Sequence, residues 1–467
     1  MLKKNQELIS TVVGTGNNCE GVIKDENSVI FVPFCLPNEK VKVKILKVDK
    51  KCAFGKVIEV LNPSENRTMP QCSVFGKCGG CQMQHVKYAE QLRFKKQAVK
   101  DAFSKIAFID ANVLDVVSGS KQFRYRNKLQ LPVAQTKNGL EIGFYAENSH
   151  RVIDVNDCLI NPEWTKTIIS VLKEYMLKNN LKGYDNILHK GDIREITVRE
   201  VDGNLIIVLV CLQNKLTNVN HFIDLLNKSL NNNFSVYLNV NNSKSNVIYG
   251  EKFNLIYGSG QYSTKMLGIK HDMGVQSFMQ VNSDVCKLLY SKVVDSIDYS
   301  KTPTVIDAYS GAGLMTALLA KKANRVFGIE IIPEAVVLAN NLMAQNGLSD
   351  KVTNLLGKCE DILPELVEKQ SELGDVCVVL DPPRKGCDIN VIQALLKSKV
   401  SKIIYVSCKP QTLARDVGLL IGTLVQKDDR IIKTENVDGV YKLESVTPYD
   451  MFPNTKHIEN VAILSRR

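Results

Sequence analysis

The sequence predicts an α/β protein in which a small β-barrel and a central α/β domain precede an open, largely parallel sheet. Three observations predict this. Val305 to Gly313 is an apolar strand running into a glycine turn, followed by a helical stretch and a second strand that ends on Glu330. Lys402 to Val406 is a short buried strand stopped by Ser407-Cys408-Lys409-Pro410. Short strand-like runs with Gly and Asn turns fill Ile9 to about Asn62. At 467 residues the chain is too long for one ordinary core, and its composition divides it into residues 1–62, 63–270 and 271–467.

Charge and cysteine content narrow the function classes. The formal net charge is +11, which suits a polyanionic partner. Val86 to Lys128 alone holds ten Lys or Arg against four Asp or Glu, a local excess of +6. No apolar run approaches the roughly 20 residues that span a bilayer, and Met1 to Glu7 lead into no signal-like segment. A cytoplasmic protein is expected. In that reducing setting thirteen cysteines do not suggest a disulfide framework, so free, catalytic and metal-ligating thiols are to be sought.

In the first domain, Ile9–Val13, Gly21–Ile23, Val29–Val32, Val41–Val48 and Phe54–Val60 read as strands of an OB-like barrel. Val41 to Val48 alternates apolar and basic residues, so one face packs and the other presents lysines, to phosphate or simply to water. The second domain opens with Cys72, Cys78 and Cys81, spaced C-x5-C-x2-C around the glycine pair Gly79-Gly80. Cys158, in an apolar-flanked position, suits the place of a fourth ligand. With a single C-x2-C and a remote fourth cysteine, a [4Fe-4S] cluster suits the set better than zinc, and free thiols are the third alternative.

Val86 to Ala107 reads as a basic helix with Tyr88, Leu92, Val99 and Phe103 as its apolar positions. Phe123 to Lys128 interleaves rings and cations, so Arg124 and Arg126 are candidate phosphate clamps for unpaired RNA, the alternative being a structural, arginine-rich strand. Strands at Ile196–Val198, Leu205–Leu212, Ser235–Asn239 and Asn246–Tyr249, with helices at Pro162–Lys178 and Asn218–Leu230, complete the central domain.

From Met273 the pattern becomes that of a nucleoside site. Gly311 and Gly313 let a ligand approach the backbone, and Glu330 can accept from ribose hydroxyls. A dinucleotide loop would carry a third glycine near Thr316. The D-x-x-x-G-x-G form found here suits S-adenosylmethionine instead, which has no pyrophosphate to seat. Asp375 to Leu380 is a buried strand ended by Asp381-Pro382-Pro383-Arg384, whose prolines hold Asp381 stiffly over the crevice. Cys408 sits at a strand's carboxyl end and is a candidate nucleophile, with an ordinary buried hydrophobe as the alternative. Glu459 is an acid in the apolar strand Lys456–Leu464, which without further context reads as a solvated edge charge.

With Gly311 and Gly313, Asp381-Pro382-Pro383-Arg384, Ser407-Cys408-Lys409-Pro410, and Met451-Phe452-Pro453 ahead of His457-Ile458-Glu459, the chain resembles bacterial S-adenosylmethionine-dependent RNA (uracil-5-)-methyltransferases. The resemblance covers essentially the whole chain and implies a Rossmann-like class I methyltransferase domain. The barrel is similar to a TRAM domain, and Cys72, Cys78, Cys81 and Cys158 to the iron-sulfur site of the 23S rRNA branch. Carried over by position, the resemblance implies Cys408 as nucleophile, Glu459 as base, and Gln280, Tyr309, Glu330 and Asp381 as cofactor contacts. Phe278 is expected to fill or flank the space of a flipped base. Lys409 departs from the Asn that many members carry. The resemblance implies that the tRNA-modifying branch lacks the barrel and the cluster, so 23S rRNA is the expected partner and a monomer the expected state. The alternatives are a tRNA uracil-5 methyltransferase, an exocyclic amino methyltransferase and a non-catalytic RNA-binding assembly factor.

Overall fold

The computed structural model describes residues 2–25, 28–428, 430–434 and 439–467. Six strands, Glu7–Thr11, Gly14–Thr15, Gly21–Asp25, Ser28–Val32, Lys40–Val48 and Cys52–Asn62, form the N-terminal sheet. Alternation decides its inside: Val41, Val43 and Ile45 join Val12, Ile23, Ile30 and Val32 in the core. Lys40, Lys42 and Lys44 take the other face, where Lys42 lies 3.0 Å from Glu7. Behind the barrel, Arg67 ties the linker to buried Glu39 at 2.6 Å.

The central domain is a seven-stranded sheet whose inner face is covered by helices Trp164–Lys178 and Val219–Ser229, through Ile168, Leu172, Phe222 and Leu226. One expected strand is corrected. Asn246–Tyr249 is a loop, because the side-chain amide of Asn241 donates to the carbonyls of Val247 and Ile248 (2.7 and 2.8 Å) and Asn239 donates to Gly250 (2.9 Å). The outer strand is instead Phe253–Tyr257.

The basic helix runs from Tyr88 to Ala102 and continues as a wider-wound π turn over Phe103–Ala107. Its buried face is the expected one at Val99 and Phe103 but not in the first two turns. Gln91, Phe94, Lys95 and Val99 are buried, while Tyr88 and Leu92 are only half-buried. The positive excess of this segment is also partly neutralised within the protein: Arg93, Lys95, Lys96, Lys105 and Arg124 all lie in ion pairs.

The third sheet carries the crevice. In chain order its strands are β1 (Thr304–Ala308), β2 (Arg325–Glu330), β3 (Val352–Leu356), β4 (Val376–Leu380), β5 (Lys402–Ser407), β6 (Tyr441–Tyr449) and β7 (Glu459–Arg466). Their spatial order is β3-β2-β1-β4-β5-β7-β6, with β1 to β5 parallel and β7 antiparallel to β5 and β6. Both faces are covered. Ile306, Val378, Ile403 and Tyr405 pack under helices Ile389–Lys397 and Pro410–Leu420, while Val305, Val379 and Ile404 pack under Ser283–Asp295 and Leu314–Ala320. That two-sided burial explains why these strands read as unbroken apolar runs. Strand order reverses between β1 and β4, successive strands being added to one side before it and to the other after it, and ligands of open α/β sheets bind at such a switch point, outside the carboxyl ends.

Candidate active site

The loop after β1 is shaped by three consecutive demands for positive φ: Tyr309 (66°), Gly311 (56°) and Gly313 (83°). At Gly313 a Cβ would lie 2.8 Å from the Cβ of Ala339, so glycine lets helix Pro333–Gln345 close on the turn. The amide of Gly311 donates to Glu330 Oε2 at 2.9 Å, and Ile332 N donates to Oε1 at 2.8 Å. The acid after β2 is thereby locked across the glycine turn. Asp307, missed as a site residue, is buried at the end of β1 and accepts from Thr316 Oγ1 at 2.6 Å. Burial, aided by the charges of Asp381 and Glu330, pushes its carboxyl up to about 7. Its signal was the leading Asp of D-x-x-x-G-x-G. Tyr309 turns its hydroxyl to the thiols of Cys359 and Cys387. Asp381 follows β4, facing water in the open crevice while protein crowds around it, and that crowding raises its carboxyl.

Sheet register brings Cys408 and Glu459 together. The last pair between β5 and β7 is Ser407 with Asn460, and the next step of the same antiparallel register sets Cys408 opposite Glu459. Because β7 runs backwards, its first residue lies at the edge where β5 delivers its last. Asn460 Nδ2 locks the junction by donating to Ser407 O at 3.2 Å. The Cys408 thiol is raised by burial and by the nearby Glu459 charge, against which the hydrogen-bonding guanidinium of Arg384 pulls it down. Glu459 is buried, which together with Asp381 pushes it up to about 8, again with Arg384 opposing. Lys409 is exposed.

The loop 274–282, ahead of helix Ser283–Asp295, is held from the central domain. Arg199 holds its backbone through the carbonyls of Gly274 (3.0 Å) and Ser277, and Asn127 Nδ2 donates to Gln280 O at 2.8 Å. Gln280 is half-buried, whereas Phe278 stands 76% exposed on the same loop.

The four cysteines are neighbours: Cys72, Cys78 and Cys158 all act electrostatically on Cys81, Cys72 and Cys158 on Cys78, and Cys72 on Cys158. Burial pushes the thiols of Cys78 to about 11 and Cys81 to about 12 and raises Cys158. N–H groups point at the sulfurs, from Gly80 to Cys78 (3.3 Å) and from Asn161 to Cys158 (3.2 Å), and the Gln84 side chain bonds Cys81. Among the described residues, however, no three His, Cys, Asp or Glu side chains gather round a single metal-ion position. Arg124 requires a correction. It does not offer a free cation to RNA, because its donors go to Asp157 (2.6 and 2.9 Å), to Glu163 (2.9 Å) and to the carbonyls of Cys158 and Asn161. It braces the Cys158 turn. Arg126 is half-buried and makes no ion pair among the described residues.

A second set of contacts ties this region to Glu459. Lys95 and Asp450 form a buried ion pair at 2.5 Å, Tyr88 OH donates to Asp450 at 2.7 Å, and Lys95 also reaches Phe452 O. Gln82 N and Met83 N, just after Cys81, donate to Asn454 O (3.1 and 3.0 Å), and Asn454 N donates to the Gln91 side chain. The segment leading into Glu459 is thus fastened to the cysteine loop and the basic helix. No sequence period could have revealed it, since the partners lie more than 350 positions apart.

Family models place this architecture. The tRNA (Uracil-5-)-methyltransferase model matches residues 87–467 and the TRAM domain model residues 4–58. An uncharacterized RNA methyltransferase of Clostridium tetani is 39% identical, with 99% of this chain and 97% of the relative covered. Another, of Halalkalibacterium halodurans, is 36% identical over 99% and 98%. The crystal structure of Pyrococcus abyssi tRNA (uracil-54, C5)-methyltransferase in complex with S-adenosyl-L-homocysteine shares the fold, with a TM-score of 0.74 and 24% identity over 98% of this chain and all of that one. The chain belongs to the tRNA (uracil-5-)-methyltransferase family of RNA methyltransferases and carries a TRAM domain ahead of its catalytic part.

Proposed function

We propose that the protein transfers a methyl group to C5 of a uridine in RNA, with Cys408 as nucleophile and Glu459 as base. The observation that carries this reading is the placement of both at one step of sheet register, with Arg384 against the thiol. The methyl group is supplied by S-adenosylmethionine, for which Gln280, Tyr309, Gly311, Gly313, Glu330 and Asp381 line the proposed site at the switch point of the sheet. Cys408 gives up its proton and its sulfur bonds to C6, moving the C5–C6 electron pair into an enolate at C5 and O4. C5 takes the methyl group, and Glu459 then accepts the C5 hydrogen as the C5–C6 double bond reforms and the sulfur leaves. The uridine must be unpaired or flipped to enter, and Phe278 is positioned to occupy its place in the stack.

Residues 1–62 and 63–270 would present the RNA to the catalytic residues 271–467, with Arg126 at the interface. Cys72, Cys78, Cys81 and Cys158 fit a [4Fe-4S] cluster, which takes one thiolate per iron and so needs four neighbouring sulfurs rather than four converging on one ion. Bound there, it would brace the loop that holds Asn454. Anaerobically purified protein should be brown and contain iron and sulfide, and colourless, zinc-loaded protein would reject the cluster.

The 23S rRNA reading rests on the cysteine set, and tRNA is the second reading. Incubation with labelled S-adenosylmethionine and, separately, unmodified 23S rRNA and unmodified tRNA decides between them. Label recovered as 5-methyluridine in only one RNA names the substrate class, and binding without transfer to either would leave an RNA-binding factor.

A further inference from the structure

Beside the active crevice lies a cavity of about 520 Å³ that none of the roles above requires. The cysteine loop forms one side of it with Gly79, the turn after strand Gly139–Tyr145 another with Tyr145, Glu147 and His150, and the segment entering β7 the third with Lys456 and His457. We propose that this cavity receives the base of an unpaired nucleotide adjacent to the target uridine, so that the enzyme reads two nucleotides of its RNA. The inference rests on the RNA-methyltransferase reading above.

Four observations support it. The volume falls in the range of sites for small organic ligands, with room for a base and its sugar. The rings of Tyr145 and His150 stand edge to face, 5.6 Å apart, on an exposed turn, and the ring of His457 is propped at 5.8 Å by Phe452. Such faces stack any base. Four cations, Arg384, Lys456, Lys95 and Arg126, act electrostatically on His457, and of these Lys95 alone forms an ion pair among the described residues. Arg384 also touches Cys408, so a phosphate held between these cations would link the cavity to the catalytic pair. Burial and those cations lower the His457 ring to about 4, leaving it neutral and suited to stacking.

The wall is rigid. Gly79 N donates to Tyr145 O at 3.0 Å, and a Cβ at Gly79 would lie 3.0 Å from the backbone of Glu147, so only glycine brings the two loops this close. The Glu147 carboxylate on this wall can accept from a base N–H. An acidic peptide would find cations here but would leave the exposed rings without a stacking partner, and Glu147 would repel it.

Dissociation constants for unmodified 23S rRNA and unmodified tRNA transcripts, measured from low to high salt, test the proposal. Tyr145→Ala with His150→Ala should weaken binding of the accepted RNA roughly tenfold at every salt concentration, since stacking carries no counterion release. Lys456→Ala should instead lower the log-log salt slope by about 0.7 to 0.9. S-adenosylmethionine affinity should stay unchanged in all variants, and His150→Ala alone, at an exposed turn, serves as the variant that cannot disturb folding. Unchanged RNA affinity in all of them overturns the pocket while leaving methyl transfer untouched. Wild-type binding without methyl transfer overturns the enzyme reading instead, so the two failures are distinguishable.

Discussion

The carboxyl edge of the third sheet gathers its groups from strands of that one sheet, whereas the region around the cysteines gathers its groups from segments scattered along the chain. At the edge, Tyr309, Asp381 and Cys408 each follow the last residue of a parallel strand, Glu330 closes another, and Glu459 opens the antiparallel one. Their positions relative to one another follow from strand order and register. Around the cysteines, Gln82 and Met83 meet Asn454, Lys95 meets Asp450, and Arg124 meets Asp157. The first two of these contacts exist only because the central domain is docked on the catalytic residues, and the third joins two distant turns of the central domain. The first arrangement places reactive groups within a rigid ladder of hydrogen bonds. The second depends on buried polar contacts that lose far more when one partner is removed than a surface pair would.

The comparison breaks most sharply at the edge. Cys408→Ala is expected to lower turnover by about 10⁴-fold or more and to abolish any covalent RNA complex, with S-adenosylmethionine still bound. Glu459→Gln should still add to uracil and transfer the methyl group, then stall, so that a gel-stable complex carrying methyl label accumulates. Wild-type turnover in either variant would remove that residue from its role, and Asp381 would be the next carboxylate to examine as base.

On the other side of the comparison, Lys95→Met leaves Asp450 buried without its cation and should cost about 3–5 kcal/mol, read as a lowered midpoint of thermal or denaturant unfolding. Loss of no more than about 0.5 kcal/mol, the scale of a surface change, would show that the docking of the basic helix does not depend on this pair. A smaller effect separates the groups by pH. With its carboxyl at about 8, Glu459 is mostly protonated at neutral pH and cannot accept the C5 hydrogen until it ionises. Release of methylated RNA in single turnover should therefore rise nearly tenfold per pH unit from 6 to 7 and level off above about 8. A flat profile would place the rate-limiting step elsewhere. The smallest effect distinguishes two neighbouring arginines. Arg126→Ala should reduce the salt slope of RNA binding by about 0.7 to 0.9, while Arg124→Ala should leave that slope unchanged and lower stability and cluster content. The reverse result would restore Arg124 to the RNA surface.

Five of the seven strands of the third sheet were legible in the sequence because they are largely buried and end in Gly, Pro or charged breaks, whereas the more exposed strands Val352–Leu356 and Tyr441–Tyr449 were not read. Cys408, Glu330 and the glycine turn could be picked out for that reason, and the family motifs supplied Glu459 and Gln280. The basic helix was misread in its first two turns, because Gln91 and Lys95 look like solvent-facing residues until their partners arrive from near residue 450, whereas Val99 and Phe103 are buried as expected. Asn246–Tyr249 was misread because side-chain amides took the backbone groups that a strand would have paired.

By itself, then, the sequence determined the barrel and the α/β class, the glycine turn, and that Glu330, Asp381 and Cys408 lie at the carboxyl ends of strands, since each depends on residues close together in the chain. Only the tertiary structure decided that Cys408 leaves its strand beside the place where Glu459 opens the next, that Arg124 is spent on the Cys158 turn, and that Asn454 ties the cysteine loop to the segment leading into Glu459. The physical reason is that register and buried polar pairing are long-range. An arginine has the same sequence signature whether its partner is a phosphate or Asp157, and a lysine the same whether it meets water or a carboxylate from the far end of the chain.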